Sequence, residues 1–311
     1  MIAALRDIDL KLLQVFRAIV DSGGFSAAQA TLNTSASRIS TQMAELESRL
    51  GMRLCDRGRV GFSLTEEGRA VYEESEKLFM AIEDFRLSIS EKQKRLAGEV
   101  RLGLIDGLIT NESFRIPQAI RAFKQRDNDV TFDLQIDPAP ALESGVLDGR
   151  LHMAVGYFHH RVSSLTYRPL FGEVHHLYCG SRHPLFEKSD REISAADLDA
   201  YDYANRRYFE SEGELASDFG TRGSAASDNM EALTVLILSG VYLAFLPTNC
   251  AQCWVERGEI RAILPNETRQ KATLHVITRR GVKQPRVVDT FLQDLIAQYE
   301  DGAAKLAEKR K

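Results

Sequence analysis

The segment SASRISTQMAELE, residues 35–47, combines small hydroxyl residues with one arginine and one glutamine. An arginine can donate two hydrogen bonds to the edge of a guanine, and a glutamine can bond an adenine in the same bidentate way. Small neighbours let a backbone approach base edges closely, and alanine and threonine methyl groups can contact thymine. These residue types predict a surface that contacts a DNA groove, with Arg38 and Gln42 as the principal base contacts.

Three predicted helices position this surface. The first ends at Ser22-Gly23-Gly24, where glycine gives the backbone the freedom to stop a helix. Ser26 is placed to cap a second, short helix, and Ser35 to cap a third. The third helix buries a stripe formed by Ile39, Met43, Leu46 and Leu50. Two helices joined by a tight turn, the second with a polar N-terminal face, are typical of a helix-turn-helix.

A glycine-punctuated segment, Arg57 to Phe62, predicts a hairpin wing directed at phosphates. Residues 1–65 hold 8 Lys and Arg against 6 Asp and Glu, whereas the whole chain has a net charge of −4. This excess is small, so the positions of the arginines carry the argument. A solvated helix face is the alternative, and the capped turn and wing together favour DNA. The predicted DNA contacts are Ser35, Ala36, Ser37, Arg38, Thr41, Gln42, Arg53, Arg57 and Arg59.

The order and spacing of these segments resemble the LysR-type transcriptional regulators, tightly over about the first 68 positions. The matching segments are residues 16–20, 24–28, 32–35, 39–40, 46–47, 50–51, 54–57 and 64–68. The resemblance implies a sequence-specific regulator with a winged helix-turn-helix, which also contacts RNA polymerase. The family usually has Gln where Ala36 stands, a long residue such as Arg where Thr41 stands, and Phe where Cys55 stands. The first two departures bear on the target bases; Cys55 is expected to fill a core slot, with a redox role left open.

A long helix is predicted from Thr65 to about Leu96. Its apolar positions alternate at spacings of four and three, the pattern of a two-stranded coiled coil. A helix buried in one chain would share those positions, but dense charge on its other faces favours an exposed rod. The resemblance implies a dimer, commonly a dimer of dimers, and a partly palindromic DNA site. The predicted dimerisation residues are Val71, Leu78, Ile82, Phe85 and Ile89.

Beyond Gly98 the pattern alternates between strands and helices, which favours α/β architecture with a parallel sheet. The resemblance implies two lobes of the periplasmic-binding-protein type with a cleft between them. The chain is therefore expected to divide into a winged helix-turn-helix (1–65), a linker and dimerisation helix (66–96), a first effector lobe (97–171 and 272–300), a second lobe (172–271) and a charged tail (301–311).

Residues just beyond strand ends are candidates to bind a small-molecule effector, because ligands of such folds lie outside the carboxyl ends of the strands. Arg206, His159 and backbone N–H groups can neutralise a carboxylate, which favours a polar or anionic effector. Family members often place hydroxyl groups near Gly107 and Ala139, and neither position offers one here. The candidates are Asp106, Gly107, Thr110, Asn111, Ala139, Tyr157, His159, Asn205, Arg206, Asn229 and Tyr242.

Two cysteine and histidine patterns suggest alternatives. Six of the seven histidines lie between His152 and His183 with Cys179 nearby, but they lack a recognisable zinc-ligand spacing. Cys250 and Cys253 have CxxC spacing without a second pair or a redox fold around them. We therefore predict no metal or cofactor, with a redox- or metal-responsive regulator of the same architecture as the alternative.

Other classes of protein find less support. The sequence has no GxSxG elbow, no phosphate-binding glycine loop and no HExxH helix, so an enzyme is not predicted. A small-molecule-binding protein of another class would leave the third helix without a role. No export segment or membrane span is apparent, and four cysteines suggest reduced thiols, so the cytoplasm is the expected compartment.

Overall fold

The computed structural model describes residues 6–58, 61–90, 96–206 and 223–308. The chain forms two compact units, Met1–Arg86 and Leu87–Lys311. Among the described residues, no helix is both long and apolar enough to cross a membrane.

The first unit is a winged helix-turn-helix followed by a long helix. Its helices bury one core that includes Phe16, Ile39 and Leu46, and each such side chain stabilises the fold by roughly 1.5–3 kcal/mol. Its elements are α1 (Asp7–Asp21), α2 (Ala28–Leu32), α3 (Ala36–Leu50), β1 (Cys55–Gly58), β2 (Gly61–Leu64) and α4 (Glu66–Ser90).

The helix ends follow the sequence signals with one exception. Gly23 has φ 75° after α1 and Gly51 has φ 70° after α3, a conformation that favours glycine. Ser35 accepts a hydrogen bond from the Arg38 N–H, as expected for a cap. The prediction that Ser26 caps α2 is wrong: Ala27 is the N-cap and already has helical φ and ψ, so Ser26 lies in the preceding turn.

The linker helix, predicted to run to about Leu96, is described as far as Ser90, and Leu96 is the first residue of the strand β3 (Leu96–Leu104). Leu96 pairs with Asn128 of the next strand, so this residue belongs to the sheet. Residues 91–95 lie outside the described part of the chain.

The second unit is built on a mixed sheet. Its further strands are β4 (Asn128–Ile136), β5 (Met153–Gly156), β6 (Leu165–Gly180), β7 (Tyr203–Arg206), β8 (Gly223–Ser227), β9 (Ala244–Pro247), β10 (Ile260–Ile263) and β11 (Gln270–Arg279). Its helices are α5 (Ile116–Lys124), α6 (Ala139–Asp148), α7 (Ala195–Asp199), α8 (Met230–Leu238), α9 (Thr248–Glu256) and α10 (Arg286–Glu308), with short 3₁₀ turns at Leu108–Thr110 and Asp190–Glu192.

The main sheet has the order β10-β6-β11-β5-β3-β4, with β9 also paired to β6. Strand β3 is parallel to β4 and β5, as predicted. The parallel part of the sheet comprises β3, β4 and β5, whereas β11 runs antiparallel to both β5 and β6. The chain leaves the first lobe along β6 and returns along β11, so these two strands must run in opposite directions.

Two lobes follow from the distribution of buried residues. One core contains Val100, Phe123 and Phe291. Two further clusters lie in the part of the chain between Leu177 and Ile263. Strand β6 contributes Phe171 to the first core and Leu177 to the second lobe, so it connects the lobes.

Candidate functional site

Helix α3 separates a buried stripe from an exposed polar face. Ile39, Met43 and Leu46 are buried in the core of the first unit. Arg38 and Thr41 are exposed on the opposite side. The guanidinium of Arg38 makes no hydrogen bond or ion pair with the described residues, so it is free to meet a ligand.

Other polar groups of this face are already engaged. The Thr41 hydroxyl donates to the Ser37 carbonyl at 3.0 Å, and the Ser35 and Ser37 hydroxyls lie 3.0 Å apart. The amide oxygen of Gln29 accepts from the Ala36 N–H at 3.2 Å. Because these hydroxyls already make hydrogen bonds within the protein, direct hydrogen bonds to bases are expected chiefly from longer side chains. Gln42, also on this helix, is half-buried.

One ion pair and one hydrogen bond that the sequence patterns did not predict hold α3 in place. Arg49 of α3 donates to Asp9 of α1 at 2.9 Å, and this contact holds the pKa of the Asp9 carboxyl below its usual range. Glu47 accepts from the Leu54 N–H at 2.8 Å and so fixes the start of the wing to the end of α3. Charged residues near a helix end give no specific signal of such partners.

The wing forms a two-stranded hairpin with Cys55 opposite Leu64 and Gly58 opposite Gly61. Arg53, just before it, pairs with Asp56 at 3.3 Å and donates to the Cys55 carbonyl. Arg57 is in β1, but its side chain lies outside the described residues, as does the whole of Arg59. Cys55 itself is buried in the core of the unit.

Along α4, the residues of the predicted dimer seam change from half-buried to exposed. Val71 and Leu78 pack against the core of the first unit. Ile82 is half-buried, and Phe85 is 65% exposed. The side chain of Ile89 lies outside the described residues. Among the described seam residues, Phe85 therefore presents the largest apolar surface.

In the second unit, the loop after β3 contacts the second lobe through charge. Asp106 accepts from the Arg206 guanidinium at 3.2 Å. Its other oxygen accepts from the Met230 N–H, at the start of α8. A helix N-terminus and a guanidinium both favour an anion. Arg206, which the sequence suggested for a ligand carboxylate, is thus paired with a carboxylate of its own chain.

Helix α9 holds the same loop. The Asn249 amide donates to the Gly107 carbonyl at 3.1 Å and to the Thr110 hydroxyl at 2.9 Å, and the Cys250 thiol donates to the Gly107 carbonyl. Gly107 has φ 75°, and a Cβ there would lie 2.9 Å from the Cys250 sulfur, so the position excludes a side chain. We call these contacts of Asp106, Gly107 and Thr110 with Arg206, Met230, Asn249 and Cys250 the clasp.

A cavity of about 500 Å³ lies beside the clasp, within the size range of small-molecule sites. Its walls are residues 110–113 of the first lobe, residues 172–174 and 178 of β6, and one side of α9. Thr110 and Asn249 belong to both the cavity wall and the clasp. Of the predicted effector contacts, Thr110 and Asn111 line this cavity.

The other predicted effector contacts do not line it. Ala139 and Tyr157 are buried in the first lobe's core, Tyr157 with its ring edge-on to His159. Asn229 caps α8 by accepting from the Ala232 N–H. Tyr242 packs against the core of the second lobe, and Asn205 belongs to the β7–β8 ladder. The predicted contacts after β4 and β5, Ala139 and Tyr157, therefore pack in the first lobe and not against this cavity.

The cysteine and histidine patterns do not form a metal cluster within the described ranges. Burial raises the pKa of the Cys250 thiol to about 11, so it stays protonated near neutral pH. Cys253 is exposed on the same helix. His152 accepts a hydrogen bond from the Arg101 N–H at 3.0 Å, a structural role in the first lobe.

Comparison with known proteins agrees with this architecture. A family described as "Bacterial regulatory helix-turn-helix protein, lysR family" matches residues 10–69, and "LysR substrate binding domain" matches residues 93–300. The HTH-type transcriptional activator BauR of Pseudomonas aeruginosa is 38% identical over 287 residues, which cover 92% of this chain and 94% of BauR. The SDS degradation transcriptional activation protein of a Pseudomonas species is 28% identical over 281 residues, or 88% of this chain and 90% of that protein.

Solved structures share the fold. Full-length CbnR complexed with its target DNA superimposes with a TM-score of 0.64 at 22% identity, over 93% of this chain and 99% of CbnR. The Vibrio cholerae virulence activator AphB gives a TM-score of 0.53 at 17% identity, over 93% of this chain and 99% of AphB. The matched domains span both units, and the chain belongs to the LysR family of DNA-binding transcriptional regulators.

Proposed function

We propose that this regulator responds to a small polar effector bound in the cavity beside the clasp. The observation that carries the proposal is the sharing of Thr110 and Asn249 between the cavity wall and the clasp. A ligand that contacts these side chains changes the stability of the contact between the lobes. An effector acts only through its different affinity for the two lobe arrangements, so the clasp supplies the coupling.

We further propose how the first unit reads DNA. Arg38 and Gln42 contact base edges in the major groove, while Ser35, Ala36, Ser37 and Thr41 let α3 approach closely. The arginines near the wing, Arg53, Arg57 and Arg59, bind phosphates. The unpaired guanidinium of Arg38 supports this division of roles, and Arg53 must exchange Asp56 for a phosphate.

The assembly is a dimer through α4, and dimers associate further. The seam consists of Val71, Leu78, Ile82, Phe85 and Ile89, and the exposure of Phe85 supports the later part of it. Two-fold pairing places two α3 helices on a partly palindromic site. The regulator acts in the cytoplasm, carries out no catalytic step and contacts RNA polymerase. Its parts are residues 1–65, 66–96, 97–171 with 272–300, 172–271 and 301–311.

Footprinting on DNA upstream of and overlapping its own gene tests the DNA assignment, and a thermal-shift screen of metabolites tests the effector site. We expect protection of a partly palindromic sequence and stabilisation by at least one metabolite. Asn249→Ala should abolish that stabilisation, whereas Asn128→Ala, at the start of β4 and away from the cavity, should keep it. If neither variant alters the response, the effector binds elsewhere.

A further inference from the structure

The walls of the cavity beside the clasp carry negative charge without a compensating lysine or arginine. Glu112, Glu173 and Glu256 line it, and its other lining residues are uncharged. Glu112 and Glu256 are exposed at the rim. The aliphatic and aromatic wall is completed by Val174, Val255 and the phenol of Tyr178, whose pKa burial raises to about 12. The field inside such a cavity attracts cations and repels anions.

Glu173 is the buried acid of this set. Its side chain is only 4% exposed. The carboxylate oxygen Oε1 lies 2.7 Å from Nε2 of His175, two residues along the same strand and itself buried. The second oxygen, Oε2, accepts no hydrogen bond from the part of the chain that the structure describes. Glu173 lines the cavity, so this oxygen is placed to accept a hydrogen bond from a bound ligand.

The same surroundings are unfavourable for an anionic ligand. Arg206, the buried cation nearest the clasp loop, is paired with Asp106, which also takes the N–H of Met230. A ligand carboxylate here would compete with Asp106 for the Arg206 guanidinium. It would also have to pass Glu112 and Glu256 at the rim. Asp106 therefore occupies the position that suits an anion, and the open volume beside it suits a cation.

We infer that the effector carries a protonated amino group, which donates to Glu173 Oε2 inside the cavity. A charge-assisted N–H to carboxylate bond is about twice as strong as a neutral one. The amides of Asn249 and Gln252 and the hydroxyl of Ser113 line the same space and can hold the polar remainder of the molecule. The effector class is a small amine, and the inference rests on the proposed effector site.

The test uses three four-carbon probes of similar size and different charge: butylammonium, butyrate and butanol. Isothermal titration on the full chain at neutral pH and fixed salt should give an affinity for butylammonium at least about tenfold above that for the other two, or about 1.4 kcal/mol. Glu173→Gln should remove this preference. Glu187→Gln, an exposed acid of the same lobe outside the cavity, should keep it.

Because Glu173→Gln also disturbs His175, a second variant changes only exposed positions. The double variant Glu112→Gln, Glu256→Gln should lower the affinity for butylammonium about threefold or more and flatten its salt dependence. Preferential binding of butyrate, sensitive to Asn249→Ala, would overturn the amine inference and leave the effector site standing. Absence of binding by all three probes also overturns the amine inference. If, in addition, no metabolite in the screen stabilises the protein, the proposed effector site is wrong too.

Discussion

At the scale of single residues, the proposed reading of bases depends chiefly on the free side chain of Arg38. Arg38 has no partner among the described residues, whereas the nearby hydroxyls of Ser37 and Thr41 are engaged within the helix. Arg38→Ala should lower affinity for the operator by about 1–3 kcal/mol and leave affinity for random duplex nearly unchanged. Competition binding of the two duplexes at fixed salt measures this difference.

Arg38→Lys is the matched control, because it keeps the charge and loses the planar fork. It should reproduce the loss of preference while retaining binding to random duplex. Arg57→Ala and Arg59→Ala should instead weaken binding to every sequence and reduce the salt slope by about one. An unchanged operator preference in Arg38→Ala would show that another residue reads the bases.

A second residue links the stability of the second lobe to pH. His183 is buried, and burial lowers its pKa from 6.5 to about 4. Below pH 6.5 the unfolded chain binds a proton at His183, whereas the folded chain binds one there only near pH 4. The stability of the fold therefore falls as the pH drops through this window. The shift corresponds to at most roughly 3 kcal/mol.

His183→Asn should flatten the decline in melting temperature between pH 6.5 and 4, because Asn cannot take up a proton. Its amide oxygen can still accept the Leu185 N–H that His183 Nδ1 accepts at 3.1 Å. The exposed His160→Asn is the control and should leave the decline as it is. Equal slopes in all three proteins would contradict a buried neutral His183.

At the scale of elements, the wing joins α4 through a close backbone approach. A Cβ on Gly68 would lie 1.8 Å from the Leu54 carbonyl oxygen. Gly68→Ala must therefore separate the base of the wing from α4 and should lower the melting temperature of the first unit by several degrees or more. Thermal unfolding followed by circular dichroism measures the loss.

Gly51→Ala is the comparison, since Gly51 has φ 70° but open space around its Cα. There only the left-handed backbone is strained, and the expected loss is about 1 kcal/mol. Similar losses in the two variants would mean that α4 can shift away from Leu54 at little expense of stability.

Elements could be predicted from the sequence where their cause is local. The stripe and the Ser35 cap of α3 depend on helical spacing and one neighbouring hydroxyl. The cap is confirmed, and so is the stripe at Ile39, Met43 and Leu46, while Leu50 is half-buried. The prediction that Ser26 caps α2 was wrong because a hydroxyl residue before a helix is also common in turns. Asp106 and Arg206 are 100 residues apart in sequence, and only the fold brings them together. The acidic cavity was missed for the same reason, since Glu112, Glu173 and Glu256 come from separate elements.

At the scale of the whole molecule, the proposed two-fold assembly decides how DNA is bound. Phe85 on α4 is 65% exposed, so its ring is available for contact with a second chain at the proposed seam. Phe85→Glu places a charge in the proposed seam and should shift the protein from dimer towards monomer. Sedimentation velocity at micromolar concentration measures that shift.

The same variant separates assembly from base reading. A monomer retains one α3 surface, so Phe85→Glu should keep its affinity for a duplex with a single half-site while losing the added affinity for the two-half-site operator. Arg69→Glu is the control, because Arg69 is exposed on α4 and sixteen positions at about 100° each place it roughly opposite Phe85. It adds the same glutamate and should leave the dimer intact. If Phe85→Glu remains dimeric and binds the full operator as the parent does, the two-fold contact lies outside the exposed part of α4.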